Sequence, residues 1–151
     1  MSILAKNKRA YFDYQIIEKF EAGLVLFGHE VKAAKDGQVN LSGSYLVWKK
    51  NNNKSELYLI KAKIALYRLA GKVDDYNTER DRKILLNKTE INYLLGKSQI
   101  SGLTLIPLKM YTKRGLVKLE FAIAKGKKKY DKREDIKKKE IERRLRTLTK
   151  R

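Results

Sequence analysis

The chain has 151 residues, with 36 Lys and Arg against 17 Asp and Glu, a net charge of +19, and no cysteine. That length favours one domain with an appendage, the absence of thiols excludes disulfides, thiolate metal sites and a Cys nucleophile, and no apolar run approaches the ~18 residues of a membrane span. So basic a chain attracts polyanions, nucleic acid first and an anionic membrane surface second.

Residues 1–10 are short and basic and read as a loose N-terminus. Tyr11–Phe20 is rich in aromatic and β-branched residues and reads as a strand, punctuated by Glu21-Ala22-Gly23 before a second strand at Leu24–Phe27. A short helix follows over Gly28–Gly37, with Gly37 where a C-terminal cap belongs. Tyr45–Trp48 and Leu57–Ile64 form a hairpin about a polar, Asn-rich turn. Leu69–Asp81 has few apolar residues and reads as an exposed loop.

Asn87 and Glu90 fit a capping box that opens the best helix of the body, with Ile91, Leu94 and Leu95 on one face and Gly96 near its end. Leu103–Tyr111 and Leu116–Ala124 make a second hairpin, and Pro107 inside the first of these strands predicts a bulge or an edge, because proline cannot donate to a ladder. About six strands and two short helices suit a mainly β body over 1–124. A small closed or partly open barrel of the oligonucleotide-binding type is the expected architecture.

The last 27 residues, 125–151, hold 14 basic and five acidic side chains, and their aliphatics are limited to Ile136, Ile141, Leu145 and Leu148. Such a segment stays open in water unless a polyanion or a groove organises it. Pairs spaced i,i+4 (Glu134–Lys138, Asp135–Lys139, Glu140–Arg144) and a thin apolar stripe allow a helix on docking, but at about 0.2–0.5 kcal/mol per pair they do not order it alone. Without the tail the body still carries +10. The tail has no Phe or Trp and neither terminus shows a lipidation signal, which disfavours the membrane. The N-terminus lacks a signal-peptide core, so a soluble cytoplasmic protein is expected.

No catalytic constellation is visible. His29 is the sole histidine and reads as a partly buried or RNA-contacting ring rather than a base. Ser42 and Ser44 lack an activating histidine, Asp74-Asp75 reads as solvated loop, and no carboxylate cluster has metal-ligand spacing. Phosphate-cradling glycine motifs are absent. What remains is basic surface interleaved with rings such as Tyr11, Tyr45, Trp48, Tyr93 and Tyr111; taken singly, most read as half-buried strand residues. Tyr130 is the exception, since nothing near it in the tail could bury it. No cofactor, metal or catalytic residue is expected.

The blocks NKRAYFDY, FEAGLVLFGHEVKAAKDGQVNLSGSY, RKILLNKTEI, GLTLIPLKMY and VKLEFAIAKGKKKYDKREDIKKKE resemble, in order, the small protein B family, the partner of transfer-messenger RNA in bacterial trans-translation. The segments KKNNNKSE and LYRLAGKVDDYNTERD and the far end EIERRLRTLTKR depart from the family pattern. The resemblance implies an oligonucleotide-binding-type barrel that holds the elbow of the tRNA-like domain. By motif position it implies RNA-contacting or RNA-shaping roles for Glu21, Leu85, Asn87 and Lys118, joined by Lys125, Lys127 and Lys128 of the AKGKKK run.

For these residues the bland readings stand beside the functional ones: a structural pair for Glu21, a core position for Leu85, a solvated charge for Lys118. For the tail the resemblance implies entry into the vacant decoding site and mRNA channel of a stalled ribosome, against small-subunit rRNA. Tyr130, Asp131, Lys132, Arg133, Ile136 and Lys137 would make the contacts. The protein would be an adaptor working with elongation factor Tu and would catalyse nothing. The alternatives are a small basic ribosomal protein or a generic RNA binder.

Overall fold

The computed structural model describes the backbone of every residue except Lys72, Asp74, Lys128, Lys150 and Arg151. Side chains are described for the same set without residues 129–132, 134, 135 and 147–149. Asp74, expected in a solvated loop, thus lies outside the described residues.

Thirteen elements follow in order: β1 (Ser2–Lys6), α1 (Ala10–Asp13), β2 (Tyr14–Leu24), α2 (Gly28–Lys35), β3 (Val39–Asn40), β4 (Tyr45–Asn51), β5 (Lys54–Ile60), β6 (Lys63–Ile64), β7 (Arg82–Leu85), α3 (Lys88–Ser98), β8 (Leu103–Lys113), β9 (Leu116–Gly126) and α4 (Lys129–Thr149). The architecture is mainly β. Seven strands form one open sheet in the order β1-β8-β9-β2-β7-β5-β4, and β3 pairs with β6 apart from it. The sheet curls so that β4 approaches β8.

Local chemistry explains several elements. The turn between β4 and β5 is Asn52-Asn53, both left-handed at φ 50° and 64°, so the hairpin is closed by two residues rather than by the longer loop expected. Asparagine tolerates that conformation, which matches the twist of the strands. Arg114-Gly115 closes β8 and β9 in the same way, with φ of 53° and 77°. Helix α2 ends on Gly37 at φ 78°, whose N–H reaches the Ala34 carbonyl while Gln38 N–H reaches Ala33, the expected glycine cap.

Several expectations need correction. Tyr11–Asp13 belong to helix α1 rather than to a strand, and no second strand forms at Leu24–Phe27, since β2 ends at Leu24. The N-terminus is not loose: Ser2–Lys6 pairs antiparallel with β8, from Ser2–Thr112 to Lys6–Lys109. Glu21-Ala22-Gly23 does not interrupt a strand: β2 runs unbroken for 11 residues, bulged at Ile17. Pairing with β9 along most of its length outweighs the weak strand preference of Gly23. Helices among the described residues number four, not two, since the four-residue α1 and the 21-residue α4 join α2 and α3.

Pro107 sits at a bulge in β8, between pairs Pro107–Phe121 and Lys109–Glu120. The extra residue is Leu108, and the two faces of the sheet serve two cores. Phe121, Leu119, Ile123, Met110, Leu57, Leu59 and Ile84 pack with Ala34 of α2 and Leu94 of α3 on the inner face. Ile106, Leu108, Ala122 and Ala124 pack beneath Ala10 of α1 on the outer face.

A buried ionic cluster ties α2 to the segment before β7. Glu30 and Arg82 have no exposed surface. Glu30 Oε2 accepts from Arg82 Nε at 2.9 Å and Nη2 at 2.6 Å and from the Tyr76 hydroxyl at 3.0 Å. Its Oε1 accepts from Phe27 N–H at 2.8 Å and pairs with Arg80. Arg82 also donates to the carbonyls of Ala62 and Thr78. Burial alone would raise the Glu30 pKa; hydrogen bonds from Arg80, Phe27 N–H and Arg82 hold it instead at about 2. The segment expected as exposed loop therefore contributes Tyr76 and Arg80 to a fixed centre. His29 packs edge-on against Tyr76 with ring centroids 4.6 Å apart, and its buried Nδ1 has no hydrogen-bond partner among the described residues.

Candidate nucleic-acid interface

One row crosses four strands on the outer face of the sheet. Leu85 of β7 pairs with Gly23 of β2, Gly23 with Lys118 of β9, and Lys118 with Tyr111 of β8. The next row holds Glu21, Glu120 and Lys109. These positions alternate with Ala22, Leu119 and Met110, which point into the main core, so the pleat aims the first set at the opposite face, where Leu85 is exposed and Tyr111 is covered by its neighbours.

Most cations on this face are neutralised. Lys19 and Lys109 flank Glu120 at 3.6 and 3.3 Å, Lys113 lies 3.3 Å from Glu21, and Lys83 pairs with Glu56. Lys118 has no carboxylate within ion-pair distance among the described residues. It therefore holds no ion pair among the described residues and can take an external anion.

Glu21 accepts from the Tyr111 hydroxyl and from Lys113 Nζ. The Tyr111 bond does most to hold its carboxyl below the usual carboxylate range, with Lys113 and Lys118 adding to it. Burial and the Glu21 carboxylate raise Tyr111 well above its ordinary value, so the phenol stays a donor. Glu21 is thus ionised and acceptor-only, fixed by a structural pair yet with 38% of its side chain exposed. Leu85 is 52% exposed and is not core. Two residues on, Asn87 caps α3: its Oδ1 accepts from Glu90 N–H at 2.8 Å and Glu90 returns a bond to Asn87 N–H at 3.1 Å, the capping box expected. A shallow cleft opens beside Lys118, lined by Gly23, Leu26, Val31, Leu85, Leu116 and Val117.

Glu21, Leu85 and Lys118 therefore lie together, with Asn87 at the edge where β7 runs into α3. The tail residues lie elsewhere. Lys125 is exposed near the far end of β9, where it pairs with Gln15 and Leu103. Lys127 is tied to α1, its N–H to the Asp13 carbonyl at 2.9 Å and its Nζ to the Tyr11 carbonyl at 3.1 Å. Arg133, Ile136 and Lys137 are exposed on α4. Lys128 and the side chains of Tyr130, Asp131 and Lys132 lie outside the described residues. The ion pair found among the described side chains of α4 is Glu142–Arg146 at 4.0 Å, not the expected Glu140–Arg144.

Sequence reasoning missed Gly23 and Tyr111 as neighbours of Lys118, because only strand register brings them there. It also missed the Glu30–Arg82 pair, whose members stand 52 residues apart. Among the described residues no group of three or more His, Asp or Glu side chains could hold a metal, and no helix is long and apolar enough to cross a membrane.

Comparison with known proteins converges on one group. The family profile described as SmpB protein matches residues 4–151. An SsrA-binding protein from Thermosipho africanus (strain TCF52B) is 48% identical, covering 100% of this chain and 99% of its own. An SsrA-binding protein from Syntrophobacter fumaroxidans is 49% identical over 99% of this chain and 89% of its own. A solved chain described by the words "tmRNA-SmpB: a journey to the center of the bacterial ribosome" superposes with a TM-score of 0.64 at 42% identity, covering 82% of this chain and 84% of that one.

Proposed function

The chain belongs to the SmpB protein family, and from that premise we propose that it is an adaptor that binds transfer-messenger RNA and delivers it to stalled ribosomes in trans-translation. The curled open sheet serves as an oligonucleotide-binding-type body over 1–124, and its outer face grips the elbow of the tRNA-like domain. Folded RNA is read through shape, phosphates, 2′-hydroxyls and unstacked bases. A face with a lysine outside any ion pair among the described residues, a fixed carboxylate acceptor and exposed leucines suits that task.

The observation that carries this reading is the clustering of Glu21, Leu85 and Lys118 beside Asn87, from three strands and a helix cap, at one end of β9, with the basic segment leaving from its other end.

The segment 125–151 is the second contact. It forms α4 over Lys129–Thr149, where its composition predicts an open chain; its few apolar side chains and weak i,i+4 pairs do little to hold that helix, and the rRNA walls of a vacant mRNA channel neutralise it and favour the helix further. Tyr130, Asp131, Lys132, Arg133, Ile136 and Lys137 make contact at the decoding site, while Lys125, Lys127 and Lys128 lie along the RNA at the root. Messenger RNA in the channel would exclude the tail, which explains how a vacant channel is sensed. The protein contributes binding and no catalysis, and it acts where ribosomes do, in the cytoplasm, with elongation factor Tu engaged through the charged RNA.

The test is a competition gel shift against transfer-messenger RNA with ordinary tRNA in excess, run on full-length protein and on a truncation after Gly126. Retained, selective RNA binding with loss of peptide tagging is expected of the truncation. Equal loss of both activities would refute the two-contact scheme.

A further inference from the structure

The ladder between β2 and β9 runs from Tyr14–Gly126 to Gly23–Lys118 and stops there. Beyond it β2 follows β7 alone, through Leu24–Ile84 and the bond from Val25 N–H to the Lys83 carbonyl at 3.0 Å. The strands part, and the split between them is the cleft beside Lys118, about 190 Å³ in volume. Leu26 and Val31 lie deep in it. Leu85 and Leu116 form its walls, 52% and 60% exposed.

Gly23 keeps the split open. Its φ lies outside the left-handed region, so the backbone does not demand glycine; a side chain there would instead narrow the split by pushing on the tip of Leu85. A Cβ there would lie 3.3 Å from Leu85 Cδ1 and 3.9 Å from Lys118 Nζ.

Leucine walls left wet beside a lysine that holds no ion pair among the described residues gain most from a flat, apolar partner that brings its own negative charge. We infer that the cleft receives one unstacked nucleobase of the RNA, with an adjoining phosphate on Lys118. This rests on the RNA-binding function proposed above and specifies what the face takes. Leu85 and Leu116 pinch the faces of the base, as apolar side chains do for an extruded base. Glu21 projects from the same face of β2 two residues away, ionised and able only to accept. It therefore favours a base that presents an amino group, such as cytosine, guanine or adenine, over uracil.

The test uses full-length protein, the tRNA-like domain of transfer-messenger RNA as probe, and a panel of that transcript with each unpaired loop nucleotide made abasic in turn. Gly23→Ala and Leu116→Ser should each weaken binding about ten-fold with an unchanged salt slope, since neither removes a charge. One abasic position should weaken wild-type protein by the same factor and weaken the two variants no further. Leu116 is exposed, so its variant folds even if Gly23→Ala does not, which thermal melting will report. Wild-type affinity in Leu116→Ser, or abasic effects that add fully to the variants at every position, overturns the base slot. If wild-type protein shows no preference for the probe over ordinary tRNA, the parent reading fails instead.

Discussion

Glu30→Gln should cost about 3–5 kcal/mol of folding stability. The substitution keeps volume but removes the charge, leaving Arg82 buried without a counterion and turning an amide N–H₂ toward its guanidinium; breaking a buried pair in this way typically costs that much. A second route gives a similar figure. The Glu30 pKa falls from 4.5 to about 2 on folding, which at about 1.4 kcal/mol per pH unit corresponds to roughly 3 kcal/mol at neutral pH. Because the folded value is depressed, this contribution is fully present above pH 4.5 and is lost as pH falls toward about 2. Urea unfolding followed by circular dichroism measures it: with a slope of about 2 kcal/mol/M, the midpoint should drop by about 1.5 M or more at pH 7. The gap between wild type and variant should then narrow steadily from pH 4.5 downward. A midpoint shift corresponding to under about 1 kcal/mol, or a gap that does not depend on pH in that window, would show that the cluster is held by packing and not by charge.

Substitutions at three further positions separate support from contact. Lys118→Ala should weaken transfer-messenger RNA binding and lower the salt slope by about one, read from affinities between low and physiological salt; an unchanged slope removes Lys118 from the phosphate contacts. Asn87→Ala should cost about 1 kcal/mol through loss of the α3 cap, whereas Asn87→Asp keeps a capping acceptor and should restore stability. RNA affinity that returns together with stability would make Asn87 a support, and affinity that stays low would make it a contact. Tyr111→Phe removes the donor that does most to hold Glu21 below its usual range, so the Glu21 carboxyl should titrate at higher pH by NMR; no movement would mean that the lysines alone set its charge.

What the sequence made legible was local. The capping box of Asn87 and Glu90, the glycine end of α2, both hairpins and the bulge at Pro107 each depend on residues within a few positions of one another, and each is present. What it hid was long-range. Ser2–Lys6 reads as a loose end because its partner strand lies more than 100 residues away. Gly23 reads as punctuation because nothing local reveals that strands on both sides hold it in β2. Lys118 looks like Lys109 and Lys113 until the fold shows those two in ion pairs with Glu120 and Glu21 while Lys118 holds none among the described residues. The family resemblance supplied Glu21, Leu85, Asn87 and Lys118 as names; only the pleat explains why three of them share a face and the fourth sits beside it.

Strand β9 also acts as a ruler. Lys118 stands near its start and Gly126 at its end, eight residues apart, or about 26 Å at the usual rise per residue. Hydrogen-bonded neighbours flank it on both sides for most of that span, so the distance can neither stretch nor kink without breaking two ladders at once. The two ends of the molecule's work are thereby held at a fixed gauge. An inserted or deleted residue in β9 would change the spacing between the two proposed contacts.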